Sequence, residues 1–133
     1  MAAGNLDKHV KYSDKKVLIV DDEKSVAELI KFVLTKNDYY CNVAHSGREA
    51  LELLKKQNFD LLLLDTGLPD TNGIEVLKTI KQDNILKHVK VVLMTASAEL
   101  DSQTAKRLGA LDYWRKPISK KDLLEGVRKY TEI

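Results

Sequence analysis

The sequence predicts an α/β fold, a single doubly wound parallel sheet of five strands with five helices spread over both faces. Three observations lead there. Short, uninterrupted apolar blocks, Val17-Leu18-Ile19-Val20, Leu61-Leu62-Leu63-Leu64 and Val91-Val92-Leu93-Met94, have the pattern of strands covered on both sides. Between such blocks, apolar residues recur at helical spacing, first as Val26, Leu29, Ile30, Val33 and Leu34. Alternation of this kind, with crossovers that must be right-handed, gives one sheet wound in both directions.

Taken in order, Val17 to Val20 is the first strand, and the stripe from Val26 to Leu34 is the first helix. A weaker strand runs from Tyr40 to Ala44. Ser46 is placed to cap a second helix through Ala50, Leu51 and Leu54, ending near Gln57. Leu61 to Leu64 forms the third strand, and Asn72 caps a third helix through Ile74, Leu77 and Ile80. The fourth strand, Val91 to Met94, precedes a helix near Ala98 to Leu108 with the poorest apolar stripe of the five. A short fifth strand covers Asp112 to Trp114. Ser119 with Asp122 three residues on resembles a capping box with the shorter acid, opening a last helix through Leu123, Val127 and Tyr130.

With 133 residues the chain has room for one domain and a core that needs no disulfide or structural metal. That domain is expected over residues 15–133, after a flexible tail over residues 1–14 in which apolar positions such as Leu6, Val10 and Tyr12 stand isolated. The 22 Lys and Arg stand against 20 Asp and Glu, a net charge of +2 with the basic residues scattered, so charge gives no support for direct nucleic acid or membrane binding. No apolar stretch approaches the roughly 20 residues of a membrane span. A single cysteine, Cys41, excludes a disulfide within the chain and fits a reducing, cytoplasmic location.

Chemistry gathers at the strand ends. Asp21 and Asp22 close the first strand and Asp65 the third, and parallel strands open their carboxyl ends onto one edge, where ligands of such sheets bind. Two like charges about 4 Å apart repel by about 4 kcal/mol at an effective dielectric near 20, so the cluster calls for a cation or a proton. The first loop, Asp21-Asp22-Glu23, is acidic rather than glycine-rich; it repels a bare phosphate and welcomes a hydrated divalent ion. Mg²⁺ suits it, with its oxygen ligands, retained waters and habit of pairing one or two carboxylates with a substrate phosphate. Mn²⁺ shares the ligand preference. Each residue alone has a plainer reading: Asp21 and Asp22 as a polar turn capping a helix, Asp65 as a turn residue, Thr95 as a helix cap, Lys116 as a solvated charge. Their joint placement, with Thr95-Ala96-Ser97 after the fourth strand and Lys116-Pro117 after the fifth, outweighs those readings.

From about Lys15 to Ile133 the chain resembles the response regulator receiver domains of two-component signalling. The resemblance rests on Asp21-Asp22, on Asp65 with Pro69 and Gly73 downstream, on Thr95-Ala96, and on Tyr113 three residues before Lys116-Pro117. Gly47-Arg48-Glu49-Ala50-Leu51 and Gly109-Ala110-Leu111-Asp112-Tyr113 also look like the family. It implies the flavodoxin-like strand order 2-1-3-4-5. It implies that Asp65 accepts a phosphoryl group from a phosphohistidine of a sensor histidine kinase or histidine phosphotransfer protein. Asp22, Asp65 and the backbone carbonyl of Gly67 would hold Mg²⁺, with Asp21 acting mainly through water. Lys116 would balance charge on the phosphoryl oxygens and Thr95 would report on them. In the family the threonine then moves toward the phosphate, the aromatic residue, here Tyr113, swings into the vacated space, and the face of the fourth helix, fifth strand and fifth helix changes. The bond before Pro117 is expected to be cis.

The implied chemistry agrees with the residues themselves. A carboxylate is a competent nucleophile, and phosphoryl transfer is catalysed chiefly by positioning and charge neutralisation. The implied protein is a switch that performs chemistry only on itself, not an enzyme acting on others, with an output protein or domain downstream and a dimer on activation as one option. Thr71 and Asn72 depart from the family's commonest residues, but are loop positions that would not touch the phosphate. Gly67 and the small Ala96 leave the phosphoryl group open to water or a phosphatase. Trp114 either packs under a helix or marks a partner patch. An aspartate-dependent phosphohydrolase reading lacks the second acid two residues beyond the nucleophile, where Gly67 stands; a flavin-binding reading lacks a hydroxyl-rich first loop. The remaining alternative is an unphosphorylated pseudo-receiver used for docking. His9, His45 and His88 show no metal-ligand spacing and are expected to be solvated or capping residues.

Overall fold

In the computed structural model, which describes residues 15–97 and 100–132, strands and helices alternate along the whole described chain. The tail expected over residues 1–14 lies outside the described residues. The strands are β1 (Lys16–Val20), β2 (Tyr40–Ala44), β3 (Leu61–Asp65), β4 (Val91–Thr95) and β5 (Asp112–Arg115). The helices are α1 (Lys24–Lys36), α2 (Gly47–Lys56), α3 (Gly73–Gln82), α4 (Ser102–Arg107) and α5 (Lys120–Thr131). All strand pairs are parallel, in the order β2-β1-β3-β4-β5.

Strand alternation sorts the apolar blocks onto two faces. Leu18, Val20, Leu62, Leu64, Val91 and Leu93 point to one side, where they meet Ala50 and Leu54 of α2, Val76, Leu77 and Ile80 of α3, and Ala105 of α4. Val17, Ile19, Leu61, Leu63, Val92 and Met94 point to the other, under Ala27, Ile30, Val33 and Leu34 of α1 and Leu123 and Val127 of α5. Because both faces are covered, β3 and β4 are buried throughout, which explains their uninterrupted apolar sequence. The chain winds from β1 to β2 on one side and crosses to β3 on the other, so the order reverses at β1 and β3, whose carboxyl ends are where sheets of this kind bind ligands.

The caps read from the sequence are formed. Ser46 Oγ accepts the Glu49 N–H at 3.1 Å, Asn72 Oδ1 the Ile74 N–H at 2.7 Å, and Ser119 Oγ the Asp122 N–H at 3.0 Å. The fourth helix is the exception. It is shorter than the expected 98–108, with Ala98 outside the described residues, because Asp101 caps it by accepting the Thr104 N–H at 2.7 Å. Gly109 ends it at a φ of +109°, in the region that glycine reaches without strain. Ala105 is its one buried residue, which accounts for the poor stripe. A 3₁₀ turn at Leu86–His88, absent from the sequence reading, is built by Asp83 Oδ1 accepting two backbone N–H groups and by the Lys81 amine donating to the Lys87 and Val89 carbonyls.

Gly73 is where α3 passes closest to the end of β3. Its N–H donates to the Thr66 carbonyl at 2.9 Å, and a Cβ added there would run into the Asp65 carbonyl oxygen and the Thr66 Cα, all backbone. Gly73→Ala is therefore expected to cost about 1–3 kcal/mol, the usual range for overpacking. The check is a lowered urea midpoint with unchanged slope; a variant as stable as the parent would show that α3 can back away from β3.

Candidate functional site

β1 and β3 are adjacent and in register, Val20 opposite Leu64, so the residues that follow them, Asp21 and Asp65, come out side by side. Asp21 is held from several directions. Its N–H donates to the Ala44 carbonyl at 3.1 Å, its carbonyl is bonded to His45 Nδ1 at 3.0 Å, and its Oδ1 accepts the Glu23 N–H at 3.0 Å. Asp21 is fully buried and Asp65 is 5% exposed, while Asp22 is open to solvent. One carboxylate oxygen from each of the three lies within 4.8 Å of the others.

Lys116 enters from the far side of the sheet. Its backbone N–H donates to the Thr95 carbonyl at 2.8 Å, continuing the ladder between β4 and β5, and the bond to Pro117 is cis. Its amine reaches Asp21 Oδ2 at 2.5 Å and Asp65 Oδ1 at 3.4 Å. Burial alone would lower the Lys116 pKa; the hydrogen bond to Asp21 and the charges of Asp65 and Asp21 outweigh it and raise it. Burial pushes the Asp65 carboxyl up to about 6, and Asp21 adds to that, against the opposing pull of Lys116 and the Gly67 N–H.

Three carboxylates around one ammonium leave a net charge of −2 when all are ionised. A divalent ion matches that excess, and the all-oxygen donor set with one solvent-facing member suits Mg²⁺, which keeps several waters. The residues present therefore fit the ion.

Around this cluster stand the other residues named from the sequence. Thr95, the last residue of β4, is 1% exposed, and its Oγ1 accepts the Ser97 N–H at 3.0 Å. Ala96 is exposed beside it. The Tyr113 hydroxyl donates to the Ser97 carbonyl at 3.2 Å, linking β5 to the loop after β4. Gly67 faces open space, with nothing within 4 Å of an added Cβ. Trp114 packs under α5, against Gly126 and the apolar face shared with α1.

Three contributors escaped the sequence reading. His45, expected to be solvated or a cap, instead clamps the Asp21 backbone. Asp70 lies in the loop after β3 and accepts the Gly47 and Arg48 N–H groups at 2.9 and 3.0 Å, tying that loop to the start of α2; those bonds hold its carboxyl below the usual range. Thr66, directly after Asp65, donates its hydroxyl to Thr95 Oγ1 at 2.8 Å. Thr66 alone left a local hint, a hydroxyl beside Asp65; the other two act across loops.

The family model of the response regulator receiver domain matches residues 17–128, and the chain belongs to that family. It is thus a receiver domain of the phosphorylation-based signalling systems. Sporulation initiation phosphotransferase F of Bacillus subtilis (strain 168) is 39% identical over 121 residues, which are 90% of this chain and 96% of that protein. The transcriptional regulatory protein CpxR of Escherichia coli (strain K12) is 39% identical over 114 residues, 85% of this chain but 47% of that protein, so the chain spans about half of it. A CheY-like receiver domain protein from Methanospirillum hungatei JF-1 superposes with a TM-score of 0.82 at 30% identity, covering 89% of this chain and 94% of the other. The response regulator TrrA from Thermotoga maritima, solved in complex with Mg²⁺-BeF, superposes with a TM-score of 0.78 at 34% identity, covering 87% and 98%. Among the described residues no helix is long and apolar enough to cross a membrane.

The raised pKa of Asp65 makes its ionised form a cost to the metal-free fold. That cost is absent below about pH 4, grows as pH rises toward 6, and is complete above 6, because the native state holds the proton that the unfolded chain has released. Metal-free Asp65→Asn is therefore expected to be more stable than the parent at pH 7 by about 1–3 kcal/mol. Thermal unfolding in EDTA across this pH range checks it; a variant destabilised at pH 7 would refute the assignment of strain to that carboxylate.

Proposed function

We propose that this receiver is a phosphorylation-controlled switch in which Asp65 is the acceptor, and that it performs chemistry only on itself. The observation that carries the reading is the Asp65 carboxylate, buried among Asp21, Asp22 and Lys116 with excess negative charge at the mouth of the sheet. Asp65 attacks the phosphorus of a donor phosphohistidine; a P–O bond forms as the P–N bond breaks, and the imidazole nitrogen leaves with the bonding pair. Asp22, Asp65 and the Gly67 carbonyl would hold Mg²⁺, or Mn²⁺ in its place, with Asp21 acting mainly through water. The bound ion supplies positive charge against the phosphoryl oxygens.

Lys116 already bridges Asp21 and Asp65, so it has only to turn toward a phosphoryl oxygen to exchange one anionic partner for another. Thr95 donates its hydroxyl to the same group. Tyr113, bonded to the loop after β4, carries the change to the face formed by α4, β5 and α5. The donor is a sensor histidine kinase or a histidine phosphotransfer protein, the setting is the cytoplasm, and the output is a partner protein or a further domain, with dimerisation on that face as a means of activation. A second use of the same carboxylate, passing the group onward to another protein, is favoured by the match along nearly the whole length of a protein named a phosphotransferase.

Incubation with Mg²⁺ and acetyl phosphate is expected to add one phosphoryl group to the intact mass. The gain should vanish in EDTA and in Asp65→Asn, whereas a docking module would keep its mass and bind its partner unchanged. An unmodified mass in Mg²⁺ would defeat the proposal. Because Gly67 leaves open space above the acceptor, Gly67→Leu should slow loss of the label several-fold without preventing its addition; an unchanged decay would show that water approaches from elsewhere.

A further inference from the structure

Thr95 Oγ1 is engaged on two sides, by the Thr66 hydroxyl at 2.8 Å and the Ser97 N–H at 3.0 Å. Among the described residues it makes no hydrogen bond to Asp65, Asp21 or Lys116. Its partner Thr66 is fixed: the Thr66 N–H donates to the Met94 carbonyl at 3.0 Å and its own carbonyl accepts the Gly73 N–H at 2.9 Å. That backbone belongs to the junction of β3 and α3, where Gly73 has no room for a side chain. Thr95 ends β4, its carbonyl accepting the Lys116 N–H at 2.8 Å, beside a loop bonded through Ser97 to Tyr113.

We propose that the Thr66 hydroxyl is a latch for the unphosphorylated state, holding Thr95 on its Thr66 and Ser97 partners and so setting how readily phosphorylation throws the switch. Thr66 is a positioning residue: it acts through Thr95, not on the reacting atoms. The inference rests on the reading of Asp65 as acceptor and Thr95 as the phosphoryl-sensing hydroxyl. On that reading Thr95 turns from Thr66 toward a group built on Asp65 and gives up the Thr66 bond, and a net hydrogen bond of ordinary strength biases a two-state equilibrium by about two- to tenfold. The apparent affinity for any ligand that selects the active state falls by the same factor.

Beryllofluoride with Mg²⁺, titrated into the protein while the Ser97 and Tyr113 amide resonances are followed by NMR, tests this. Thr66→Val keeps the branched shape and removes the hydroxyl; its apparent affinity is expected to be about two- to tenfold tighter than that of the parent. Thr66→Ser, which restores the hydroxyl, should return the affinity to the parental value. In a Thr95→Ala background, Thr66→Val should change nothing, since the latch then has nothing to hold. Unchanged or weaker binding by Thr66→Val, or an effect that survives loss of Thr95, would overturn the latch while leaving the acceptor reading intact. Failure of the parent protein itself to bind beryllofluoride would overturn both.

Discussion

Excess negative charge at one edge of the sheet governs this molecule. Asp21 and Asp65 are buried side by side there because they end two adjacent parallel strands in register. Lys116 answers part of the charge from the end of a third strand. The remainder matches the charge of a divalent ion, and burial, with the neighbouring Asp21, raises the Asp65 pKa at the same place. Stability is given up at the spot where chemistry is proposed, as buried like charges generally demand.

The surrounding structure keeps that edge in register. His45 and Ala44, at the end of β2, fasten the Asp21 backbone; Asp70 ties the loop after β3 to the start of α2; Gly73 lets α3 press on the end of β3. Across from these ties lies the start of the loop after β4. There a short series of hydrogen bonds runs from Thr66 through Thr95 and Ser97 to Tyr113. The proposed switch calls for both, a fixed place for the charge to change and a neighbouring element able to take a second position.

Most of the fold was legible because its signals are local. Apolar runs such as Leu61 to Leu64 can satisfy only a strand covered on both faces, and Ser46, Asn72 and Ser119 carry their capping acceptors within three residues of the donors they serve. The acids and Lys116 were legible as a set because parallel strands deliver their ends to one edge. Two misses were local: the Asp101 cap and Gly109, which shorten α4, and Asp83 with Lys81, which build the 3₁₀ turn, all lie within a few residues of what they hold, but no apolar stripe marks either place. The roles of His45 and Asp70 were hidden for another reason, since they depend on bonds between loops more than twenty residues apart. Thr66 sat in plain view, but nothing in its neighbours along the chain points to Thr95 at the end of the next strand.

Calorimetric titration of the protein with Mg²⁺ addresses the charge balance most directly. The account predicts a single ion per chain, bound markedly more weakly by Asp22→Asn, which removes the solvent-facing carboxylate without disturbing the buried pair. Absence of binding at millimolar Mg²⁺, or an affinity indifferent to the loss of that carboxylate, would contradict it.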